Sequence, residues 1–304
     1  MNPSLCMLLA ALLGLLVPPI TFSAAPWISA LLCVILFFAL FHLHVPRIPQ
    51  THLKVCIGFT LARYLVLPLL LWGLAQLLLP SYSAAVLLLA LMPGSVTSPA
   101  FTGMLRGNIP LAASITALSS LVCIAAVPFL APLLDVGPLK VQSNALIISL
   151  LIVFGLPSAL YFTLRSNPAV RQVALVHGQT ISVAAVSGTI FLAVWQQQPH
   201  IFISLEESIA HLAVLCVLYL VFFGLGRLYS RSASPEVQTA LVCVSGFNNN
   251  GLAVALAALH MPHVLAFVVL SELPWSAGYW VAQRMMGSSK PAKTAAVYEG
   301  QPES

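Results

Sequence analysis

Two apolar stretches of this chain are interrupted in the same way, and the interruptions restrict what it can fold into. Between Tyr82 and Asn108, an apolar run ending in LLLALM stops at Pro93 and Gly94, passes through Ser95, Thr97, Ser98 and Pro99, then resumes toward Arg106. In the second half, Ser245-Gly246-Phe247-Asn248-Asn249-Asn250-Gly251 splits another apolar helix. Irregular backbone survives at bilayer depth only where protein or a watery cavity satisfies its exposed amides. Paired breaks in two halves of a chain point to the binding site of a protein that moves a solute.

The chain is 60% hydrophobic and 6% charged over 304 residues, whereas a soluble domain is about a quarter charged. It reads as an all-α polytopic membrane protein. A span needs about 20 apolar residues, and the apolar runs divide into ten such segments. They lie near residues 4 to 20, 26 to 45, 55 to 79, 82 to 106, 109 to 134, 143 to 164, 173 to 195, 204 to 228, 236 to 260 and 263 to 286. The first lacks a basic leader and a small-residue cleavage site, so it reads as a retained helix rather than a signal peptide.

With both termini cytoplasmic, ten of the twelve Lys and Arg residues fall inside, Lys140 falls outside, and Arg63 lies within the membrane. Positive charge stays on the cytoplasmic side during insertion, so this arrangement sets the orientation. The basic residues are dispersed over loops and form no patch for nucleic acid. The six cysteines are scattered without CxxC spacing, which indicates neither a zinc site nor a disulfide framework.

Ten helices divide into five and five, and an odd number sends the second group in from the opposite face. The expected architecture is a 5+5 inverted repeat, with residues 1–138 as the first repeat, 139–287 as the second, and 288–304 as a disordered cytoplasmic tail. Helices 4 and 9 are discontinuous and cross. Half-helix N-termini favour anions and half-helix C-termini favour cations, so crossed breaks suit an anion with a coupling cation.

Several polar residues stand out against this background. Arg63 is an ionisable residue within the third segment, and Glu272 in SELPW is its candidate partner. Of the consecutive Asn248, Asn249 and Asn250, at least one must face protein or cavity, because an unsatisfied amide in hydrocarbon costs about 2 to 7 kcal/mol. Thr97 and Ser98 lie in the first break, and Ser114 and Thr116 on the next helix. His177 and Gln179 occur in VHGQTISV, where an imidazole can carry a proton or bond a neighbouring helix. His42, His44, His52, His260 and His263 fall in or beside loops and read as solvated.

PGSVTSPAFTGMLRGNIPLAASITALSSLV resembles the fourth and fifth helices of the bile acid:sodium symporter family, and GFNNNGLAVAL resembles its ninth-helix motif. FHLHVPRIP and the stretch from Arg63 to Pro68 fit the same template. The resemblance implies ten helices arranged as a panel domain (helices 1, 2, 6 and 7) and a core domain (3 to 5 and 8 to 10). It also implies transport of organic anions with sodium. Carried over residue by residue, Ser98 and Thr116 match the sodium positions, and Asn248 stands where the family has Gln. Pro99, Ala112 and Val244 replace an Asn, a Ser and a Glu of the pattern, and Arg63 aligns with a Gln. Losing a carboxylate and two polar ligands strips both sodium sites of affinity, while a guanidinium in that place supplies the positive charge permanently.

The function expected from these features is secondary active transport of a small organic anion by alternating access, with sodium or a proton as the coupling ion and no other cofactor. The protein is expected in a bacterial inner membrane, as a monomer or weak homodimer. The alternatives are a ligand-binding sensor or degenerate relative that does not translocate, and an arsenite-type efflux permease. The second alternative lacks a thiolate between Cys56 and Cys123. An intramembrane enzyme is excluded by the absence of HExxH and GxSG motifs.

Overall fold

A computed structural model describes residues 3–18, 24–42, 50–95, 97–134, 143–196, 198 and 205–286. Among the described residues the regular structure is helical, apart from one isolated β-bridge. The repeat junction at 138/139, Lys140 and the 288–304 tail lie outside them.

The first group of helices is α1 (Pro3–Leu16), α2 (Ala25–His42), α3 (Gln50–Leu61), α4 (Leu67–Leu78), α5 (Ser83–Leu91), α6 (Ser98–Met104) and α7 (Ile109–Leu134). The second is α8 (Ser143–Leu164), α9 (Pro168–Gln196), α10 (Leu205–Tyr229), α11 (Pro235–Gly246), α12 (Asn250–His260), α13 (Leu265–Leu270) and α14 (Glu272–Met285). Among the described residues, four helical runs are long and apolar enough to cross a membrane: His52–Leu78, Ile109–Val127, Glu206–Tyr229 and Pro262–Met285. A fifth, Pro168–Gly178 with Thr180–Trp195, is bent by 64°. The apolar helices Pro80–Leu91 and Asn250–His260 are shorter, because each lies on one side of a break.

α3 and α4 are joined by a π-helical turn, Ala62–Val66, that carries the buried Arg63 and Tyr64. Pro68 has no N–H to donate and would crowd the carbonyl four residues back. The widened turn accommodates it: the Leu67 N–H reaches back to the Ala62 carbonyl, a five-residue step of the kind found as π-bulges at functional sites.

α5 stops because of Pro93. The residue before a proline is driven out of the helical region, and Met92 is extended, with φ −63° and ψ 135°. α6 restarts with Pro99 in its first turn, where a missing N–H costs nothing. α11 ends at Gly246, and the Asn249 side chain caps α12 by accepting from the Leu252 N–H at 3.2 Å. Such a cap satisfies one of the free amides at a helix start.

α1 and α2 pack on α9, and α2 also packs on α8, while α10 lies along α11. The last pair approaches closely through small residues: a Cβ on Gly226 would meet the Leu241 carbonyl oxygen at 2.7 Å, the device membrane helices use where lipid supplies no hydrophobic drive. Large apolar side chains such as Leu70, Leu74, Leu77 and Phe129 point outward, as expected where lipid replaces water. All six cysteines are free.

Candidate functional site

Both interruptions leave backbone groups without helical partners, and each break supplies partners for the other. Gly94 and Asn248 form an antiparallel bridge. The Ser95 N–H donates to the Phe247 carbonyl at 2.7 Å, and the Asn249 N–H donates to the Pro93 carbonyl at 2.8 Å. Ser98 Oγ adds a second bond to the Phe247 carbonyl at 3.1 Å. The Gly94 N–H goes to Ser119 Oγ on α7 at 3.0 Å. Buried backbone groups in proteins are nearly always paired, and here two severed helices do the pairing.

Arg63 lies at the centre of the crossing and is fully buried. Its Nε donates to the Ser245 carbonyl at 3.1 Å, Nη1 to the Ala90 carbonyl at 3.1 Å, and Nη2 to Asn248 Oδ1 at 2.8 Å. Ala90 belongs to the last turn of α5 and Ser245 to the last turn of α11. Each helix C-terminus is equivalent to roughly half a negative charge, so the two together balance one guanidinium. The cation also stacks 3.9 Å from the centre of the Phe222 ring and 4.8 Å from that of Tyr64.

This arrangement corrects the expected Arg63–Glu272 partnership. Glu272 forms no ion pair with Arg63, whose hydrogen bonds go to two carbonyls and an amide. Glu272 Oε1 is instead buried with no hydrogen-bond partner.

The three asparagines have separate tasks. Asn248 is fully buried; its Nδ2 donates to the Leu89 carbonyl at 3.0 Å, and its own carbonyl accepts from Trp275 Nε1 at 3.0 Å. Asn249, half-buried, caps α12. Asn250 accepts from the Tyr219 hydroxyl at 2.8 Å and donates to Ser271 Oγ at 3.0 Å.

Thr97 is half-buried, with its hydroxyl 2.9 Å from Ser95 Oγ. Thr116 Oγ1 is buried without a hydrogen-bond partner and faces the bridge: a Cβ on Gly94 would lie 3.2 Å from it and 3.1 Å from the Tyr64 hydroxyl. Ser114 bonds back to the Pro110 carbonyl of its own helix at 2.8 Å.

His177 is exposed on α9 and is not part of the crossing; Val186 of α9 does approach the second break, 3.1 Å from where a Gly251 Cβ would sit. The Gln179 side chain lies outside the described residues. His260, expected to be solvated, is half-buried, with its Nε2 shielded and without a partner.

Several residues of the site escaped the sequence reading, among them Ser119 and Phe222. Tyr64 donates to the Val244 carbonyl at 2.7 Å, Trp275 holds Asn248, and Tyr219 holds Asn250. Trp275 carried a signal in its position one turn beyond Glu272; Tyr219, in an unbroken apolar helix, carried none.

At the positions the resemblance assigns to sodium, Ser98 Oγ donates to the Phe247 carbonyl, Asn248 Oδ1 accepts from Arg63 as do the Ala90 and Ser245 carbonyls, and Thr116 Oγ1 is buried without a partner.

Comparison with known proteins finds relatives named for sodium-dependent transport. The chain is 27% identical over 283 residues to the uncharacterized sodium-dependent transporter YocS of Bacillus subtilis, covering 88% of this chain and 83% of that protein. It is 28% identical over 217 residues to the probable sodium/metabolite cotransporter BASS1, chloroplastic, of Arabidopsis thaliana, covering 69% of this chain and 53% of that one. The model of the sodium bile acid symporter family matches residues 29–204. That match spans more than half of the sequence, and the chain belongs to this family, whose members are transporters and not enzymes.

Proposed function

We propose that this protein is a secondary transporter that carries a small organic anion across a bacterial plasma membrane by alternating access. Its ten spans form two inverted repeats of five, divided between a panel and a core domain, with both termini cytoplasmic and the protein monomeric or weakly dimeric. The observation that carries this reading is the antiparallel bridge between Gly94 and Asn248, which joins two broken helices beside a buried cation. Thr97 and Asn249 remain half-exposed at that crossing, and a solute entering it meets these two first. The N-terminal end of α12, which starts at this crossing, favours an anion there.

The names of the two relatives favour a second reading, in which sodium drives uptake. The occupied carbonyls at Arg63 favour transport without sodium at this site. Exchange of labelled taurocholate, a sulfated steroid and pantoate in proteoliposomes, with and without sodium, separates these readings. Exchange that is indifferent to sodium supports the first, and steep sodium dependence supports the second. Ligand-induced stabilisation with no flux would instead support the sensor.

A further inference from the structure

We infer that Glu272 is a proton-binding site and that its proton couples to movement of the crossing. The inference of coupling rests on the transporter reading; the inference of proton binding does not. Glu272 as a residue is half-buried, but its Oε1 is shielded and meets no donor, and a carboxylate oxygen cut off from water disfavours the charged form unless it is paired or protonated.

The helix around Glu272 offers no compensation. Ser271 has helical angles, its N–H bonds to the Phe267 carbonyl at 3.2 Å, and its carbonyl accepts from the Trp275 N–H at 3.1 Å. The chain therefore runs through from α13 to α14, and few free amides are left to hold a negative charge.

Few charged or titratable groups face Glu272. α14 packs against α10, α11 and α13, with α6 touching Trp275 and Tyr279 through Phe101. From α10, Tyr219 lies within electrostatic reach of Glu272, with Arg63 beyond it. α11 carries Glu236 in its first turn and Cys243, while α13 and α6 carry no titratable residue. On α14 itself, Tyr279 and Arg284 are two or more turns away. A metal cation would need several oxygens, and Ser271 Oγ is already engaged by Val268 and Asn250. A proton needs only one.

The placement of Glu272 couples it to the second break. Its preceding neighbour, Ser271, bonds Asn250 at 3.0 Å, and Trp275, one turn later, bonds the Asn248 carbonyl at 3.0 Å. Any shift of Asn248–Asn250 moves the turn that carries the carboxyl. A conformation that admits water to Oε1 releases the proton, and one that closes over it binds the proton again.

The test has two arms. In the first, an infrared titration of the protein in lipid reads the protonated carboxyl stretch. The expected result is a band present at neutral pH in the wild type and lost in Glu272→Gln. Labelling of wild-type Glu272 by a hydrophobic carbodiimide, which attacks only protonated carboxyls, should likewise occur at neutral pH and fade in alkali. Absence of both the band and the label overturns the proton site.

In the second arm, a pH gradient drives uptake of whichever of the three probe anions the wild type exchanges. Glu272→Gln should lose accumulation above equilibrium yet retain exchange at equal concentrations. Undiminished accumulation in Glu272→Gln overturns the coupling. If the wild type exchanges none of the anions, the transporter reading and the coupling fall together, while the first arm decides proton binding.

Discussion

Arg63 and Asn248, 185 residues apart in sequence, are joined by a 2.8 Å bond from Nη2 to Oδ1. That contact lies where two severed helices leave their last carbonyls without partners, and the guanidinium reaches both ends and the amide at once. The cation is therefore part of the crossing itself.

Replacing Arg63 by Gln leaves the Ala90 and Ser245 carbonyls underpaired and removes the charge that the two helix ends balance. The expected loss is about 3 to 5 kcal/mol, typical of breaking a buried charged contact. Thermal unfolding in detergent reads it. Arg63→Lys should recover little of that loss, since an ammonium cannot span three acceptors as the planar fork does. Unchanged melting in both variants would show that the crossing does not depend on this cation.

Thr116→Val separates the two coupling readings. The threonine hydroxyl is buried and unbonded, so an isosteric methyl should leave stability unchanged or slightly higher, because a desolvated polar atom is removed. Anion exchange should persist. Loss of sodium-driven uptake in this variant would place a sodium ligand at Thr116 and defeat the reading built on Arg63.

Asn249→Ala removes the cap on α12 and should cost about 0.5 to 2 kcal/mol. Because Asn249 is half-exposed at the crossing, the apparent KM for anion exchange should rise as well. A stability loss with no change in KM would confine Asn249 to capping.

Gly246→Ala tests the packing under the break. The added Cβ would lie 2.0 Å from Phe223 Cε1, and overpacking of this kind costs about 1 to 3 kcal/mol. The same substitution at Gly73, which has nothing within 4 Å, should leave melting unchanged.

Trp275→Phe keeps the ring but deletes the N–H that donates to the Asn248 carbonyl at 3.0 Å. About 1 kcal/mol should be lost. If the link to Glu272 is mechanical, the midpoint of the Glu272 titration should move as well.

The breaks were legible because proline and glycine are punctuation in any helix: Pro93 ends α5 by its own chemistry, and Asn249 caps α12 by its own side chain. Arg63 was conspicuous because charge is rare in an apolar span. The partner chosen for it was wrong for a related reason, since Glu272 was a conspicuous carboxylate within another apolar segment. Sequence patterns display side chains, and the groups that hold Arg63 are mostly backbone carbonyls, which every residue has. His177 illustrates the converse: an ionisable residue in an apolar segment drew notice, yet α9 presents it outward.

Local chemistry in the sequence alone thus determined a helical membrane chain with two severed spans, because hydropathy and proline act over a few residues. The tertiary structure alone decided that the breaks bridge at Gly94 and Asn248, that Arg63 is balanced by helix ends, and that Glu272 has no partner. Those outcomes depend on which distant carbonyls come within 3 Å of a given side chain, a property of the packed chain in space that no local pattern encodes.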